Sequence, residues 1–371
     1  MSAAQPGGAS TWFQRFLLPG FALKAVIIGG GYATGREIAE FFLPAGPWGG
    51  LAAMLLATAI WTLVAAVTFH FAWRIGARDY RHFFQALLGR FWVAFELAYA
   101  VFIVLILAVF GAAAGAIAAA TFGLPPLVGT VALMLGIVAC VAFGNAGVER
   151  VFVWVSVLLY LTYAIFFVLL LAGVGDRIAT AFATLPSGDW MSGGITYAGY
   201  NVIGAVIVLP VTRHFRKGSD AVIAGMIAGP LAMLPALLFF VGMTAFLPDI
   251  AGAVLPSDYM LVRLGHPAFH ILFQLMIFAA LLESGTGAVH AINERVARTR
   301  GVALTPLFRA LAALALLVPC MLIAERVGLV ALIASGYRAL AWALILIYVL
   351  PLLAIVAFRR LRAVPRPLET V

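Results

Sequence analysis

Charged side chains are scarce in this sequence. Aspartate, glutamate, lysine and arginine make up 10% of 371 residues, where a soluble domain carries about 25%. That scarcity excludes a solvated surface around most of the chain. Cysteine is nearly missing: Cys140 and Cys320 both lie inside apolar runs. They give neither a disulfide framework nor a thiolate metal cage, and they read as small buried hydrophobes. Catalytic signatures are also lacking. No HExxH, P-loop, CxxC or G-x-S-x-G pattern occurs in a credible context. With no nucleophile–base or metal-ligand set in view, neither an enzyme nor a cofactor is expected. Residues Met1 to Ser10 hold no basic segment, so a cleaved signal peptide is not expected, nor is a soluble domain at either end.

What the chain has in abundance is apolar sequence, at 65%. Ten runs stand out, at 15–46, 48–75, 91–121, 125–145, 148–175, 191–215, 220–247, 267–299, 305–325 and 327–359. Each is near or above the roughly 20 residues needed to cross a bilayer core. The expectation is an all-α polytopic membrane protein, residues 1–371 forming one transmembrane domain. The net charge of +9 sits in short loops between the runs. With a cytoplasmic N-terminus, 17 of the 23 Lys and Arg residues fall inside; Arg177, Arg263 and Arg326 fall outside, and Lys24, Arg36 and Arg338 fall within spans. This asymmetry places both termini in the cytoplasm, across the cytoplasmic (inner) membrane. The basic excess therefore marks orientation in a lipid bilayer, and no nucleic-acid partner is expected. In one inner loop, Tyr80, Phe83, Phe84, Leu87 and Leu88 share helical spacing, which predicts a short helix on the cytoplasmic interface. In the outer loop 248–266, Pro256-Ser257-Asp258 marks a helix start, read either as a lid or as an ordinary ordered loop.

The first span carries Gly29-Gly30-Gly31-Tyr32-Ala33-Thr34-Gly35-Arg36-Glu37 near its middle. Each glycine weakens a helix by about 1 kcal/mol relative to alanine. Each charge at mid-bilayer costs about 2.5–3.5 kcal/mol on insertion scales. Non-helical backbone at that depth must be buried in protein or line a wet cavity. Thr34-Gly35-Arg36-Glu37 also fits the S/T-x-x-E capping box, so the spacing predicts unwinding at 29–33 and a new helix from Thr34. Its free N–H groups would suit an anion, and the exposed carbonyls before it a cation. The competing reading is a glycine-rich helix-packing surface.

A second interruption is expected in the sixth span, at Thr196-Tyr197-Ala198-Gly199-Tyr200-Asn201-Val202-Ile203-Gly204. The halves 15–175 and 191–359 hold five spans each, so the second is inverted relative to the first. Interrupted spans at matching places in two inverted halves point to a transporter binding site. Tyr197 and Tyr200 offer hydroxyls and rings, and Asn201 an amide; each reads equally well as interhelical packing. The eighth span carries Glu283-Ser284-Gly285-Thr286. Glu283 falls near mid-membrane, where a carboxylate faces the bundle interior. Glu283 and Thr286 lie three apart on one face, an oxygen-rich surface suited to an alkali cation or a proton. Arg338, the other deep charge, is a candidate partner for Glu283 or Glu37. Lys24, Arg36, Glu40 and Glu96 read as snorkelling residues.

The segment Ile28 to Ile38 resembles the G-x-G-[FY]-A-[ST]-G-[QR]-E signature of YkvI-type bacterial membrane proteins. The Tyr-x-x-Tyr-Asn of span 6 and the Glu-Ser-Gly and Asn-Glu-Arg of span 8 are similar as well. The resemblance implies membership of the amino acid–polyamine–cation superfamily with the LeuT fold. It implies a five-plus-five inverted repeat, discontinuous helices 1 and 6 around a central substrate site, and a cation site between helices 1 and 8. On that pattern Ser284 and Thr286 stand near a sodium site. The residues themselves, apart from the resemblance, suggest that Gly30, Gly31, Tyr32, Thr34, Gly35, Glu37, Tyr197, Gly199, Tyr200 and Asn201 surround substrate and that Glu283, Ser284, Thr286 and Arg338 serve ion coupling. The Glu-Ser-Gly-Thr spacing departs from adjacent hydroxyl residues, which leaves sodium and proton coupling both open. Arg338 departs too, where glycine is usual. The function expected is alternating-access, ion- or proton-coupled transport of a small polar organic solute, an amino acid or amine. A channel or inorganic-ion pathway and a non-transporting sensor or scaffold are the alternatives.

Overall fold

The structure is a computed structural model that describes residues 10–27, 30–142, 145–300 and 305–359. Those residues are helical nearly throughout, with no strand among them. The first span is cut into α1 (Trp12–Phe16), α2 (Leu18–Ile27), α3 (Gly30–Ala33) and α4 (Arg36–Phe41). Then follow α5 (Gly46–Ile75), the short α6 (Tyr80–Leu88), α7 (Trp92–Phe122), α8 (Pro126–Ala142) and α9 (Asn145–Thr184). The sixth span comprises α10 (Met191–Asn201) and α11 (Ile203–Ile207), with a 3₁₀ stretch at Leu209–His214. After it come α12 (Gly218–Thr244), α13 (Pro256–Leu264), α14 (Pro267–Arg300) and α15 (Pro306–Val327). The last span is α16 (Leu329–Ala331), α17 (Arg338–Leu344) and α18 (Leu350–Arg359), joined by π-helical turns at Leu332–Tyr337 and Ile345–Val349. Seven stretches among the described residues are long and apolar enough to cross a membrane; the interrupted first and sixth runs and the 17-residue α8 fall short.

Boundaries follow local chemistry. Asp79 caps α6 by accepting the His82 N–H at 2.9 Å, and Thr305 caps α15 by accepting that of Phe308 at 3.2 Å, each relieving an orphan donor. The exterior is apolar, with Leu55, Leu97, Val168, Leu171 and Leu322 exposed, as lipid requires. Inside, small residues let backbones approach where hydrocarbon gives no hydrophobic drive. The α5–α12 crossing shows this best. A Cβ built on Gly225 would stand 2.3 Å from the Ala66 backbone, and one on Gly229 would stand 2.2 Å from Thr62 Oγ1. The N-terminal α1 is tied to α12 by a two-pronged ion pair: Arg15 Nη2 to Asp220 Oδ1 at 2.7 Å and Nε to Oδ2 at 3.0 Å.

The short helix α6 forms where expected, but its apolar face does not meet lipid. Phe83, Phe84 and Leu87 are buried. Phe84 stacks on Phe95 at 3.5 Å between centroids, and Phe83 meets Phe71 edge-on at 5.4 Å. Tyr348, hydrogen-bonded to Thr68, closes the cluster. Helical periodicity locates an apolar face without saying whether protein or lipid covers it.

Gly225 gives a test of the close crossing. Exposed Gly→Ala changes in helices stabilise by about 1 kcal/mol. Gly225→Ala is expected to do the reverse, since the methyl meets backbone that cannot yield, at about 1–3 kcal/mol. A thermal midpoint in detergent equal to or above wild type would refute the packing.

Candidate substrate and coupling site

Span 1 is broken, though not as the capping box predicts. After the single turn α3, Thr34 and Gly35 form a turn, and Gly35 adopts φ +79°. That left-handed conformation suits glycine, and a Cβ there would stand 2.5 Å from Phe239 and Met243 side chains. Gly35 is thus the N-cap of α4. The Thr34 hydroxyl accepts the Arg36 N–H at 3.3 Å. Glu37 leaves the cap altogether and accepts the Tyr200 hydroxyl at 2.5 Å. A six-residue α4 with its first N–H already taken is a poor anion site, so that expectation falls. Gly30 and Gly31 open α3; Gly29 lies outside the described residues.

Span 6 is hardly interrupted. Val202 separates α10 from α11 but keeps helical torsions, φ −58° and ψ −23°, and its N–H still reaches Ala198 O at 3.1 Å. The backbone departs only at Val208. Gly199 therefore does not unwind the helix. A Cβ there would stand 3.0 Å from Ala341 and from Ile345, so its smallness admits span 10. The Asn201 amide turns back on its own helix and donates to Tyr197 O at 3.1 Å.

The break and span 6 still meet, in an aromatic cluster around Glu37. Tyr200 packs on Tyr337 at 4.4 Å and on Phe41 at 5.8 Å. Tyr197 contacts Phe42 at 4.7 Å and Trp61 at 5.4 Å. The buried hydroxyls of Tyr32, Tyr197 and Tyr163 have no hydrogen-bond partner. Phe41, Phe42, Trp61, Tyr163 and Tyr337 carry no spacing signal, so sequence reasoning misses them.

On one side of this cluster lies a seal. Arg36 is buried, not snorkelling. Its Nη1 donates to the carbonyls of Ala251 and Ala253 at 3.0 and 2.9 Å, and its Nη2 pairs with Glu40 at 2.5 Å. The Ser257 N–H donates to Thr34 O at 3.0 Å. The segment before α13, with α13 starting at the Pro256 that marks it in sequence, is thus pinned on the break as a lid. Asp258 fixes the lid's far side through His270 Nε2 at 2.6 Å and Gln274 Nε2 at 3.0 Å.

On the other side lies a cavity of about 410 Å³, walled by Lys24 of α2, Tyr99 and Phe110 of α7, Ile207 of α11, and Glu283 and Ser284 of α14. Lys24, read from sequence as a snorkelling residue, is a wall residue here. Thr286 does not line the cavity; it is buried elsewhere with its hydroxyl unpartnered. At 100° per residue, Ser284 and Thr286 lie about 160° apart around α14 once helical geometry is applied. The shared face expected for Glu283 and Thr286 is not formed on the cavity, and the sodium pair is divided. Arg338 is a plain correction. It is exposed on the outside of α17 while Leu340, Ala341 and Leu344 turn inward. It pairs with neither Glu283 nor Glu37.

The pinned lid makes a prediction. Arg36→Lys keeps a charge for Glu40 but loses the planar fork that reaches two carbonyls. Lid amides at 249–257 are expected to exchange with deuterium about tenfold faster, the lower end for a lost charged hydrogen bond. Unchanged exchange would sink the clamp.

No protein-family model matches the chain. It is 24% identical over 286 residues to the uncharacterized membrane protein YkvI of Bacillus subtilis, covering 74% of this chain and 79% of that protein. Three solved structures share the architecture. MhsT in complex with L-phenylalanine superposes with TM-score 0.60 at 19% identity, over 95% of this chain and 90% of that one. The manganese transporter of Eremococcus coleocola gives 0.61 at 15%, over 95% and 81%. A Na+-coupled sialic acid symporter in its substrate-bound outward-open state gives 0.59 at 15%, over 92% and 79%. The resemblance to YkvI-type proteins thus holds over most of the sequence, and the chain has the LeuT fold.

Proposed function

We propose that this chain is a secondary transporter of a small polar organic solute, an amino acid or amine, working by alternating access. One observation carries the reading: the break in span 1 lies between a lid pinned shut on one side and a 410 Å³ cavity on the other. A site closed from one face and approachable from the other is what alternating access requires. With both termini cytoplasmic in the inner membrane, the cavity opens inward and the lid seals the outer face. Substrate would meet Gly30, Gly31, Tyr32, Thr34, Gly35, Glu37, Tyr197, Tyr200 and Asn201, where unpartnered hydroxyls await polar groups. Glu283, with Ser284 beside it in the cavity, would carry the coupling proton or sodium. The five-plus-five inverted repeat over 15–175 and 191–359 belongs to the same reading.

MhsT with L-phenylalanine and the sialic acid symporter support an organic solute. The manganese transporter keeps an inorganic cation as the second reading. Against it, no group of three or more His, Cys, Asp and Glu side chains gathers among the described residues.

Purified protein in proteoliposomes decides between them. A panel of amino acids, amines and divalent cations is offered under a sodium or a proton gradient. Saturable, gradient-driven uptake of an organic solute is expected, and Glu283→Gln should lower its coupled uptake by at least about tenfold, a coupling loss near 1.4 kcal/mol. Uptake of manganese alone would favour the second reading. Wild-type uptake and ion dependence in Glu283→Gln would remove that residue from the mechanism.

A further inference from the structure

The last span holds a charge that the site does not use. Its depth can be read from the helix beside it. Helix α15 runs 22 residues, roughly 33 Å at 1.5 Å per residue, one crossing of a hydrocarbon core about 30 Å thick. Gly328 alone joins it to α16, so α16 starts at the level where α15 ends. Arg338 comes ten residues later, roughly 15 Å down, at the middle of the core. There it is exposed, and its exposed neighbours along the stripe include Trp342, Leu346 and Leu350. It has no ion-pair or ring partner among the described residues. The carboxylates at membrane depth are engaged elsewhere: Glu37 with Tyr200, Glu40 with Arg36, Glu96 with Arg295, and Glu283 in the cavity.

An arginine facing lipid at that depth costs about 2.5–3.5 kcal/mol on insertion scales, so protein is the fitting cover. The stripe is complementary to itself. Ala331, Ser335 and Ala339 are exposed at four-residue spacing, which lets a second helix approach closely. Trp342, one turn past Arg338, leans back toward its level, as helical side chains do. Indole is the strongest aromatic acceptor for a guanidinium. A two-fold contact repeats each interaction with the roles exchanged.

We propose that two copies of this chain associate in the membrane through this face. The last spans cross at Ala331, Ser335 and Ala339, and Arg338 of each copy lies over Trp342 of the other.

The test uses the full chain in vesicles of phosphatidylethanolamine and phosphatidylglycerol. Ser335→Cys is expected to give a disulfide-linked dimer on oxidation. Leu135→Cys, exposed on the remote α8, is expected to stay monomeric. Adding Arg338→Leu or Trp342→Leu to Ser335→Cys should slow linkage about tenfold, equivalent to about 1.4 kcal/mol. These outward side chains touch no core, and the Ser335→Cys result stands without them. A monomeric Ser335→Cys protein would overturn the proposal. So would linkage indifferent to both leucine substitutions. Phosphatidylglycerol held by the monomer through Arg338, seen by native mass spectrometry, would assign the charge to a lipid phosphate and equally overturn it.

Discussion

Two adjacent charges in the middle of a membrane helix set the terms for the rest of the molecule. Arg36 and Glu37 share a peptide bond, yet they serve opposite sides. Arg36 turns to the lid carbonyls and Glu40; Glu37 turns to Tyr200. In hydrocarbon neither charge tolerates an unpaired state, so each must draw in protein. The lid is fastened by one demand and span 6 is held against the break by the other. The backbone turn at Gly35 separates these directions, and its left-handed torsion and packing against Phe239 and Met243 leave no space for a side chain.

From that constraint follows a difference between the two sides of the break, the pinned lid on one and the cavity beside Lys24 and Glu283 on the other. The lid's contacts are short and directional, made by a guanidinium and by a backbone amide at Ser257. The cavity wall is mostly apolar, with Lys24, Tyr99, Glu283 and Ser284 as its polar points. Directional bonds hold one arrangement and, in the cycle proposed above, would be lost together. An apolar wall is more tolerant of a changing outline. The two sides are thus built from interactions of different kinds, which would suit the alternating access proposed for this chain.

Much of this was legible in the sequence, and what was missed has physical reasons. Spans are read from runs of hydrophobicity because lipid demands them, and the runs follow the helices closely except the fifth, where α9 continues to Thr184 past non-helical torsions at Val174. The break in span 1 is legible because glycines and charges cluster at a depth that penalises both. The lid start at Pro256 is legible from helix-start chemistry. Failures occur where one signal has two physical causes. A glycine marks unwinding at Gly35 but close packing at Gly199, and only the neighbour's distance separates the two. Thr34 and Glu37 have capping spacing, but Tyr200 competes for the carboxylate from 163 residues away. Arg338 and Glu283 both lie well inside apolar runs, yet position along a run carries no information about which way a helix faces. The aromatic wall of Phe41, Phe42, Trp61 and Tyr337 comes from three separate segments, and composition cannot single such residues out in a chain with 28 phenylalanines.

The asymmetry between spans 1 and 6 bears on how the proposed cycle would run. An intact hydrogen-bond ladder resists bending, and α10 keeps its ladder through Val202. It is also wedged between α5 and α17, with Trp61 Nε1 donating to Ala198 O at 3.3 Å and Ala341 pressed against Gly199. Tilting α10 would break those contacts at once. The Thr34–Gly35 turn carries no such ladder, and α2, before it, meets α12 through Gly20, whose absent side chain would otherwise strike Leu231. Contacts between small smooth surfaces slide at less cost than interlocked rings separate. Rearrangement is therefore cheapest at span 1, with α10 and α5 as the wall against which it occurs, and Glu37 is the group whose bond to Tyr200 must be kept or exchanged as it does.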